Sequence, residues 1–367
     1  MQKYYTILIV MLLMQFAALW SIDESGLRPY RLIHADSLNA SKVNGAYVSE
    51  LTGAVHLFYG DTEFFADRAF LYEREKVVRM TGNVQVYEDS LSLKAERVSY
   101  FRLMEKLNLE ENVEFYETHQ DSTWRTFEAE RVEYLRENKN FEAWENVTVY
   151  DSRENVQGKC GYMTYNVDKS FGYLRESPEL QMSKSDSLLI KSQKIEYYDD
   201  YKKIVAIFEV ETVMPDYSLT SDFLIYYSEE EKATYRGQPQ LFSEQFDAQA
   251  SEVTLFFLEN KLDHAQMNDS CRVDYKVNEQ GAKENWITSE EMEFEFVDGV
   301  IHKSKAYRGV ESYYVQQADP ENRQDFLSNE ATAEKLIMYM NDEGYIERIG
   351  LSRAINGKYI FEGEYKK

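Results

Sequence analysis

The sequence has few of the residues that interrupt strands or that commonly build catalytic and metal sites. Its 367 residues include five prolines, two cysteines and five histidines. Because proline cannot donate to a strand ladder, its scarcity favours long, continuous strands. The histidines show no close metal-ligand spacing, and no nucleophile elbow or phosphate loop is present. The sequence therefore predicts a protein that is not an enzyme and that uses no metal or cofactor.

Basic residues are outnumbered by acidic ones. The chain has 41 lysines and arginines against 65 aspartates and glutamates, which gives a net charge of −24. Nucleic-acid binding is driven by basic side chains that neutralise phosphates, so this balance argues against nucleic-acid partners. It equally disfavours an electrostatic grip on an anionic membrane surface.

An alternation of apolar and polar residues recurs along the chain. Between Val84 and Ala95, apolar residues alternate with polar ones on both sides of a polar turn, as in strands with one buried face. After Ala95 the alternation slips by one residue, which is typical of a strand that bends at a corner. The Gly82-Asn83 pair just before this unit indicates a tight turn or bulge.

The recurring unit is anchored on a small residue, and the third and fifth residues after each anchor are apolar. Successive anchors lie 29 to 44 residues apart, and a period in this range is typical of repeat architectures. We predict an all-β fold, an elongated two-sheet β-solenoid or twisted open β-jellyroll of about ten repeats of about 30 residues. The anchors are Ala35, Ala66, Ala95, Ala129, Cys160, Ser192, Ser221, Ala250, Ser289 and Ala333.

The ends of the chain depart from the repeat. Lys3 precedes an uncharged, mainly apolar run from Thr6 to Trp20, which is short for a membrane span and predicts a cleaved signal peptide over residues 1–21. An uncleaved N-terminal anchor is the alternative. We expect a linker at residues 22–31, repeats at 32–311, a loop at 312–329 and a terminal repeat or cap at 330–367.

The two cysteines are not expected to pair. Cys160 and Cys271 lie about three repeats apart, which is on the order of 14 Å at the spacing of neighbouring strands. A disulfide needs Cα atoms within about 7 Å. Cys160 also takes the small anchor position, so core packing is its expected role.

The inward-facing apolar residues are the candidates for a lipid-binding groove, although they could equally fill a dry core between closed sheets. They are Val84, Val86, Leu91, Leu93, Val98, Val113, Phe115, Val132, Val147 and Val149. An acidic residue follows many of the anchors, as in Asp67 and Glu96. Basic neighbours such as Arg68 and Arg97 favour a solvated, partly paired ridge over a calcium site.

The segment TGNVQVYEDSLSLKAERVSYF, residues 81–101, resembles the OstA/LptA family of periplasmic lipopolysaccharide-transport proteins. The resemblance is strong over residues 34–150 and fades towards about residue 300. It implies an open jellyroll whose groove holds lipopolysaccharide acyl chains. It also implies inner-membrane LptC-like and outer-membrane LptD-like partners and head-to-tail stacking of subunits. This chain is much longer than the compact members of that family.

Two other functions remain open from the sequence. An envelope scaffold that binds only protein would have a closed, dry core. A β-helix enzyme that acts on polysaccharide would have a polar cleft with paired carboxylates of perturbed pKa. Periplasmic lipopolysaccharide transport, bridging inner- and outer-membrane machinery, is the function that we predict.

Overall fold

The computed structural model describes residues 27–182, 188–259, 261–275, 285–316, 326–341 and 346–362. The predicted signal peptide and the first part of the predicted linker lie outside these residues. The described chain is almost entirely β-strand, with three short 3-10 helices at Arg102–Met104, Arg136–Asn138 and Asp199–Tyr201. The predicted all-β class is therefore confirmed. In the described residues, no helix is both long and apolar enough to cross a membrane.

The chain divides into two compact units. Unit 1 comprises the residues up to Val113 together with Glu133–Glu137, and unit 2 comprises Glu114–Val132 and the residues from Asn138 onward. Unit 1 contains β1 (Tyr30–His34), β2 (Ser37–Val43), β3 (Ala46–Tyr59), β4 (Thr62–Tyr72), β5 (Val77–Glu88), β6 (Leu91–Phe101) and most of β7 (Lys106–Thr118).

Unit 2 contains most of β8 and all later strands. They are β8 (Trp124–Leu135), β9 (Asn140–Asp151), β10 (Val156–Asn166), β11 (Phe171–Arg175), β12 (Glu179–Met182), β13 (Leu188–Lys191), β14 (Lys194–Tyr198), β15 (Lys203–Val213), β16 (Ser218–Tyr227), β17 (Lys232–Arg236), β18 (Gln240–Phe242), β19 (Phe246–Gln249), β20 (Glu252–Leu258), β21 (Lys261–Tyr275), β22 (Asn285–Val297), β23 (Val300–Gln316), β24 (Phe326–Met340), β25 (Ile346–Ser352) and β26 (Asn356–Glu362). The predicted loop at 312–329 overlaps the end of β23 and the start of β24, and its remaining residues lie outside the described ranges.

Neighbouring strands pair antiparallel along the chain. In unit 1, β3 to β6 each pair with the next strand, while β1 and β2 pair with the two halves of β3. In unit 2, several long strands likewise pair with two short ones, as β10 does with β11 and β12. Two consecutive short strands thus take the place in the sheet that one long strand takes elsewhere.

Most long strands change register near their middle, where two consecutive residues take left-handed backbone angles. In β5 these residues are Gly82 (φ 79°) and Asn83 (φ 44°), and together they lie opposite Glu96 of β6. An extra residue of this kind is a bulge, and it bends the strand. Equivalent pairs lie at 53–54, 111–112, 145–146, 176–177, 208–209, 237–238, 269–270, 308–309 and 353–354. These bulges are the corners that the slipped alternation predicted.

The bends bring the two halves of each unit face to face. In unit 1, Phe64 from one half contacts Tyr100 from the other, with ring centroids 5.8 Å apart. In unit 2, Phe127 and Phe141 meet in the same way at 5.6 Å. The anchor residues from Ala66 onward are buried, apart from the half-buried Ser192. The alternation in the sequence therefore identifies the inward positions.

The strand ends form two rims in each unit. In unit 1 the first rim has the turns at residues 60–61 and 89–90, and the second rim has those at 73–76 and 102–105. In unit 2 the first rim has the turns at 119–123, 152–155 and 214–217, and the second rim has those at 167–170, 199–202 and 298–299. The interior of each unit lies between its two rims and its row of corners.

Both cysteines are free and buried, as predicted. Burial raises the pKa of each thiol to about 12, because the thiolate is poorly solvated in the core. At neutral pH both side chains are therefore neutral and serve as small apolar groups.

The left-handed corner at Gly82 gives a test of the fold. Gly82→Ala should lower the free energy of unfolding by about 1–2 kcal/mol, because a Cβ is disfavoured at this backbone angle and would lie 2.3 Å from Oδ2 of Asp67. Gly82→Asn should cost less, since asparagine tolerates the left-handed region. Urea denaturation measures both variants, and an Ala variant as stable as the wild type would contradict this corner.

Candidate functional site

The predicted inward residues of unit 1 lie together in its interior. Val84 pairs with Ala95 across the strands, Val86 pairs with Leu93, and Val98 pairs with Met80. This set is no more than 6% exposed, and it comprises Val84, Val86, Leu91, Leu93, Val98 and Val113. These side chains form one continuous apolar surface that is covered in this structure.

The remaining predicted residues lie in unit 2, where aromatic rings dominate the interior. Phe115 stacks on Phe127 with centroids 4.3 Å apart and meets the edge of Phe141 at 4.8 Å. Val132 and Val147 are fully buried, whereas Val149 is half-buried. Phe127 and Phe141 also belong to this interior, although the prediction did not include them.

Val149 borders an apolar cavity of about 70 Å³ in unit 2. Its walls include Phe127, Met163, Leu174, Leu180 and Ile195. The neighbouring inward positions on β10 and β11 are glycines, Gly158 and Gly172, and a Cβ on Gly158 would lie 2.6 Å from the Val149 side chain. The cavity is much smaller than the roughly 300–1,000 Å³ of typical small-molecule sites. The interior is therefore nearly filled.

A buried polar cluster forms one wall of this cavity. The guanidinium of Arg125 donates to Oδ2 of Asp151 at 2.6 Å and to the hydroxyl of Tyr165, and it lies 3.4 Å from Asp199 and 3.6 Å from Glu117. The side chain of Arg125 is 9% exposed. Buried charges of this kind are tolerated only when they are paired and hydrogen-bonded.

Tyrosine hydroxyls complete the Arg125 cluster. Tyr165 donates to Glu117 at 3.0 Å, and Tyr197 donates to Asp151 at 3.0 Å. Burial would raise the pKa of Asp151, but the charge and hydrogen bonds of Arg125 outweigh this effect and hold that pKa below its usual range. Burial would likewise raise the pKa of Asp199. The hydrogen bond from Lys202 and the charge of Arg125 outweigh this effect and lower that pKa. Both carboxylates are therefore ionised at neutral pH.

The Arg125 cluster joins the two rims of unit 2. Glu117, Arg125 and Asp151 lie on strand ends at the first rim, whereas Tyr165 and Tyr197 lie at the second rim. The bonds from Tyr165 to Glu117 and from Tyr197 to Asp151 therefore cross from one rim to the other. The interior of unit 2 is closed here by polar contacts.

Unit 1 has a similar contact between its own rims. Arg136 donates from its Nε to Glu88 at 3.0 Å, and it also donates to Thr62, Glu105 and the hydroxyl of Tyr100 at 2.9 Å. Glu88 and Thr62 lie at the first rim, whereas Tyr100 and Glu105 lie at the second. An arginine thus links the two rims of this unit as well.

The acidic residues after the anchors lie at the corners, outside the interior. The side chain of Asp67 accepts a hydrogen bond from Asn83 at 3.0 Å, and the basic neighbour Arg97 pairs with Glu110 and Glu111 at 3.2 and 2.6 Å. Among the described residues, no group of three or more His, Cys, Asp or Glu side chains could hold a metal ion.

Comparison with known proteins identifies a family over part of the chain. Residues 66–203 match the family described as LptA/(LptD N-terminal domain) LPS transport protein. This region is LptA-like. The predicted resemblance is therefore confirmed, and the LptA-like region contains all ten predicted inward residues as well as the Arg125 cluster.

A solved structure also matches. LptH from Pseudomonas aeruginosa, described as the LptA-homologous periplasmic component of the lipopolysaccharide transport device, is 20% identical with a TM-score of 0.28. The match covers 32% of this chain and 83% of that chain. No curated protein matches the chain.

The Arg125 cluster of the LptA-like region was not predicted, although the sequence holds a signal for it. Arg125, Phe127 and Ala129 occupy every second position of β8, and all three are buried. The inward-facing position nearest the rim is therefore a charged residue, Arg125. The same continuation reaches Glu117 on β7 and Asp151 on β9. A charged residue in register with buried ones on three successive strands indicates a buried ionic cluster.

Removal of Arg125 should leave the buried carboxylates of Asp151 and Glu117 without their main partner, and Asp199 without one of its cationic partners. Arg125→Met should lower the free energy of unfolding by about 3–5 kcal/mol at pH 7. In the wild type, the lowered pKa values of Asp151 and Asp199 stabilise the fold above about pH 4, and this contribution is lost as the pH falls further. Without Arg125, burial should raise these pKa values, so the deficit should shrink between pH 7 and pH 5. Urea denaturation at both pH values measures it.

The matched control is Arg131→Met on the same strand. Arg131 is 52% exposed and lies 3.8 Å from Glu145, and an exposed pair of this kind contributes at most about 1 kcal/mol. Equal losses in the two variants would contradict the assignment of Arg125 as a buried, network-forming charge.

Proposed function

We propose that this protein binds lipopolysaccharide in the periplasm and carries it with the acyl chains held between the two apolar faces. The match of residues 66–203 to a lipopolysaccharide-transport family carries this proposal. Within each unit, the inward surface formed by these residues supports it, since this surface is apolar. The ten inward residues from Val84 to Val149 are the proposed acyl-chain contacts.

The physical role of such a surface is to keep hydrocarbon out of water. Each buried methylene is worth about 0.8 kcal/mol, so an acyl chain of ordinary length cannot cross an aqueous compartment unprotected. An apolar face that repeats with every strand gives the chain similar contacts at successive positions. A lipid can therefore slide along it with small changes in free energy.

Strand edges to which no other described strand pairs support a role in assembly. In unit 1, β2 pairs with β3, and all seven of its residues are exposed. In unit 2, β26 pairs with β24, and its Tyr359 and Phe361 are 63% and 59% exposed. Free edges accept a further strand from another chain. We propose inner-membrane LptC-like and outer-membrane LptD-like proteins as partners at these edges, together with head-to-tail copies of this chain, so that the assembly bridges the two membranes.

The filled interior favours a second candidate function. A cavity of about 70 Å³ cannot hold a lipid without expansion, and a permanently closed core is what an envelope scaffold would have. This scaffold would bind protein partners at its edges and carry no lipid. The two functions differ in whether the interior of the folded protein ever contacts hydrocarbon.

Photocrosslinking distinguishes these functions. A small diazirine amino acid at Val84 or Phe115, in the chain expressed in a Gram-negative host, should give covalent lipopolysaccharide adducts that mass spectrometry detects. The same group at Gln85, whose side chain faces outward between Val84 and Val86, should give none. Folded protein with no adduct at either inward position would favour the scaffold.

The proposed stacking predicts a mass that depends on concentration. Sedimentation of the chain without residues 1–21 should show oligomers that grow with concentration. Leu38→Lys on the free edge strand should shift the protein to monomer, because Leu38 is 57% exposed there and lysine protects edges from pairing. Leu258→Lys is the control, since Leu258 is 62% exposed at the end of β20. Unchanged oligomers in the Leu38 variant would contradict stacking through β2.

A further inference from the structure

We propose that the buried cluster around Arg125 is a latch, and that it must open for an acyl chain to enter the interior of unit 2. The proposal rests on the proposed lipid-binding function and adds the point of entry and its control. It is carried by the position of the cluster between the two rims, by the apolar cavity behind it and by the exchangeable nature of its bonds.

Several separate contacts join the rims at this point. Besides the Tyr165 and Tyr197 bonds, Arg153 at the first rim lies 3.4 Å from Asp199 at the second, and Lys202 at the second rim lies 3.9 Å from Glu154 at the first. These contacts surround the wall of the cavity that Arg125 and Asp151 form. A chain entering from the side between the rims must pass through this cluster.

The space behind the latch is apolar but too small for a chain in the closed state. Val149, Leu174 and Leu180 line this cavity, and the Val149 and Leu180 side chains already come within 3 Å of the place where a Cβ on Gly158 would lie. An acyl chain would extend this cavity by separating the two faces. The rims must then move apart, and the bonds that cross between them must break.

The two rims can separate at the lowest free-energy cost where the contact between them is polar. When the rims part, the tyrosine hydroxyls and carboxylates exchange their bonds for bonds to water, so the net cost of each bond is modest. If the contact were apolar, its separation would expose hydrocarbon to water, and no new hydrogen bonds to water would compensate. Later in unit 2 the rims meet differently, since Tyr217 donates to the carbonyl of Gly299 at 2.5 Å and packs against Phe296 at 5.5 Å. The bond that crosses there runs from a neutral hydroxyl to a neutral carbonyl, whereas charged groups make the bonds across the rims in the Arg125 cluster, so we assign entry to the Arg125 cluster.

The charge of the cluster argues against a binding site for a phosphate group. Three cations, Arg125, Arg153 and Lys202, meet five carboxylates, Glu117, Asp121, Asp151, Glu154 and Asp199. The excess of two negative charges repels an anionic headgroup and leaves it in solvent. The cluster therefore admits the apolar part of a lipid while its headgroup stays outside.

The test loosens the latch without removing a charge. In the Tyr165→Phe/Tyr197→Phe variant, the rings stay and the hydroxyl bonds across the rims are lost. A diazirine amino acid at Leu180 reports arrival of the chain, and purified lipopolysaccharide is the probe. The rate of adduct formation should rise about a hundredfold, because the loss of each hydroxyl bond to an ionised group should speed the opening about tenfold.

The control variant is Tyr162→Phe/Tyr198→Phe. These tyrosines face outward on β10 and β14 and donate to Glu142 at 3.2 Å and to Glu196 at 2.8 Å, so the same chemistry is lost outside the latch. Its rate should equal that of the wild type. If the double latch variant does not fold, Tyr197→Phe alone should still raise the rate about tenfold, since it removes the hydroxyl bond to the ionised Asp151.

The outcomes separate the latch from the function on which it rests. Adducts that form at one rate in the wild type, the latch variant and the control would overturn the latch and leave lipid binding intact. No adduct at Leu180 in any variant, together with none at Phe115, would overturn both. A faster rate in the latch variant alone supports the proposal.

Discussion

The fold depends on how each long strand turns at its middle without losing backbone hydrogen bonds. Two successive left-handed residues supply the turn, and the residue after each anchor donates its N–H across the corner. Gln193 donates to the carbonyl of Phe208 at 3.0 Å, and Asp222 donates to that of Gly237 at 3.3 Å. Because the corner backbone stays paired, the strand can bend at no cost in unsatisfied buried groups. Both halves of the strand then direct their apolar residues into one interior.

The left-handed residues at the corners cost conformational free energy, and this cost recurs at each corner. A residue with a side chain costs about 1–2 kcal/mol in the left-handed region, and corners such as Phe208-Glu209 and Glu145-Asn146 contain no glycine. The cost is offset by the two buried faces that the bend creates. The acidic residues beside the corners remain in solvent, where their charge keeps the outer surface soluble.

Much of the inward face could be predicted from alternation alone, because a period of two fixes which side of a strand is covered. Val84, Val86 and Phe115 are buried for that reason. The closure of the interior could not be predicted in this way. Arg125 lies 40 residues from Tyr165 and 72 from Tyr197, and these separations become contacts only once the bend angle brings the rims together. The cavity depends on the same angle, since residues from both halves of unit 2, such as Phe127 and Leu174, form its walls.

The two buried thiols have a consequence for how the protein tolerates its surroundings. Cys160 and Cys271 are enclosed and unpaired, and with a pKa of about 12 neither forms the thiolate that oxidation and disulfide exchange require. The thiols of the folded chain therefore resist oxidation and disulfide exchange, and no disulfide between them holds the fold. In an oxidising compartment, the fold is stabilised by side-chain packing and by backbone hydrogen bonds. The thiols can be oxidised only before the strands that bury them have formed.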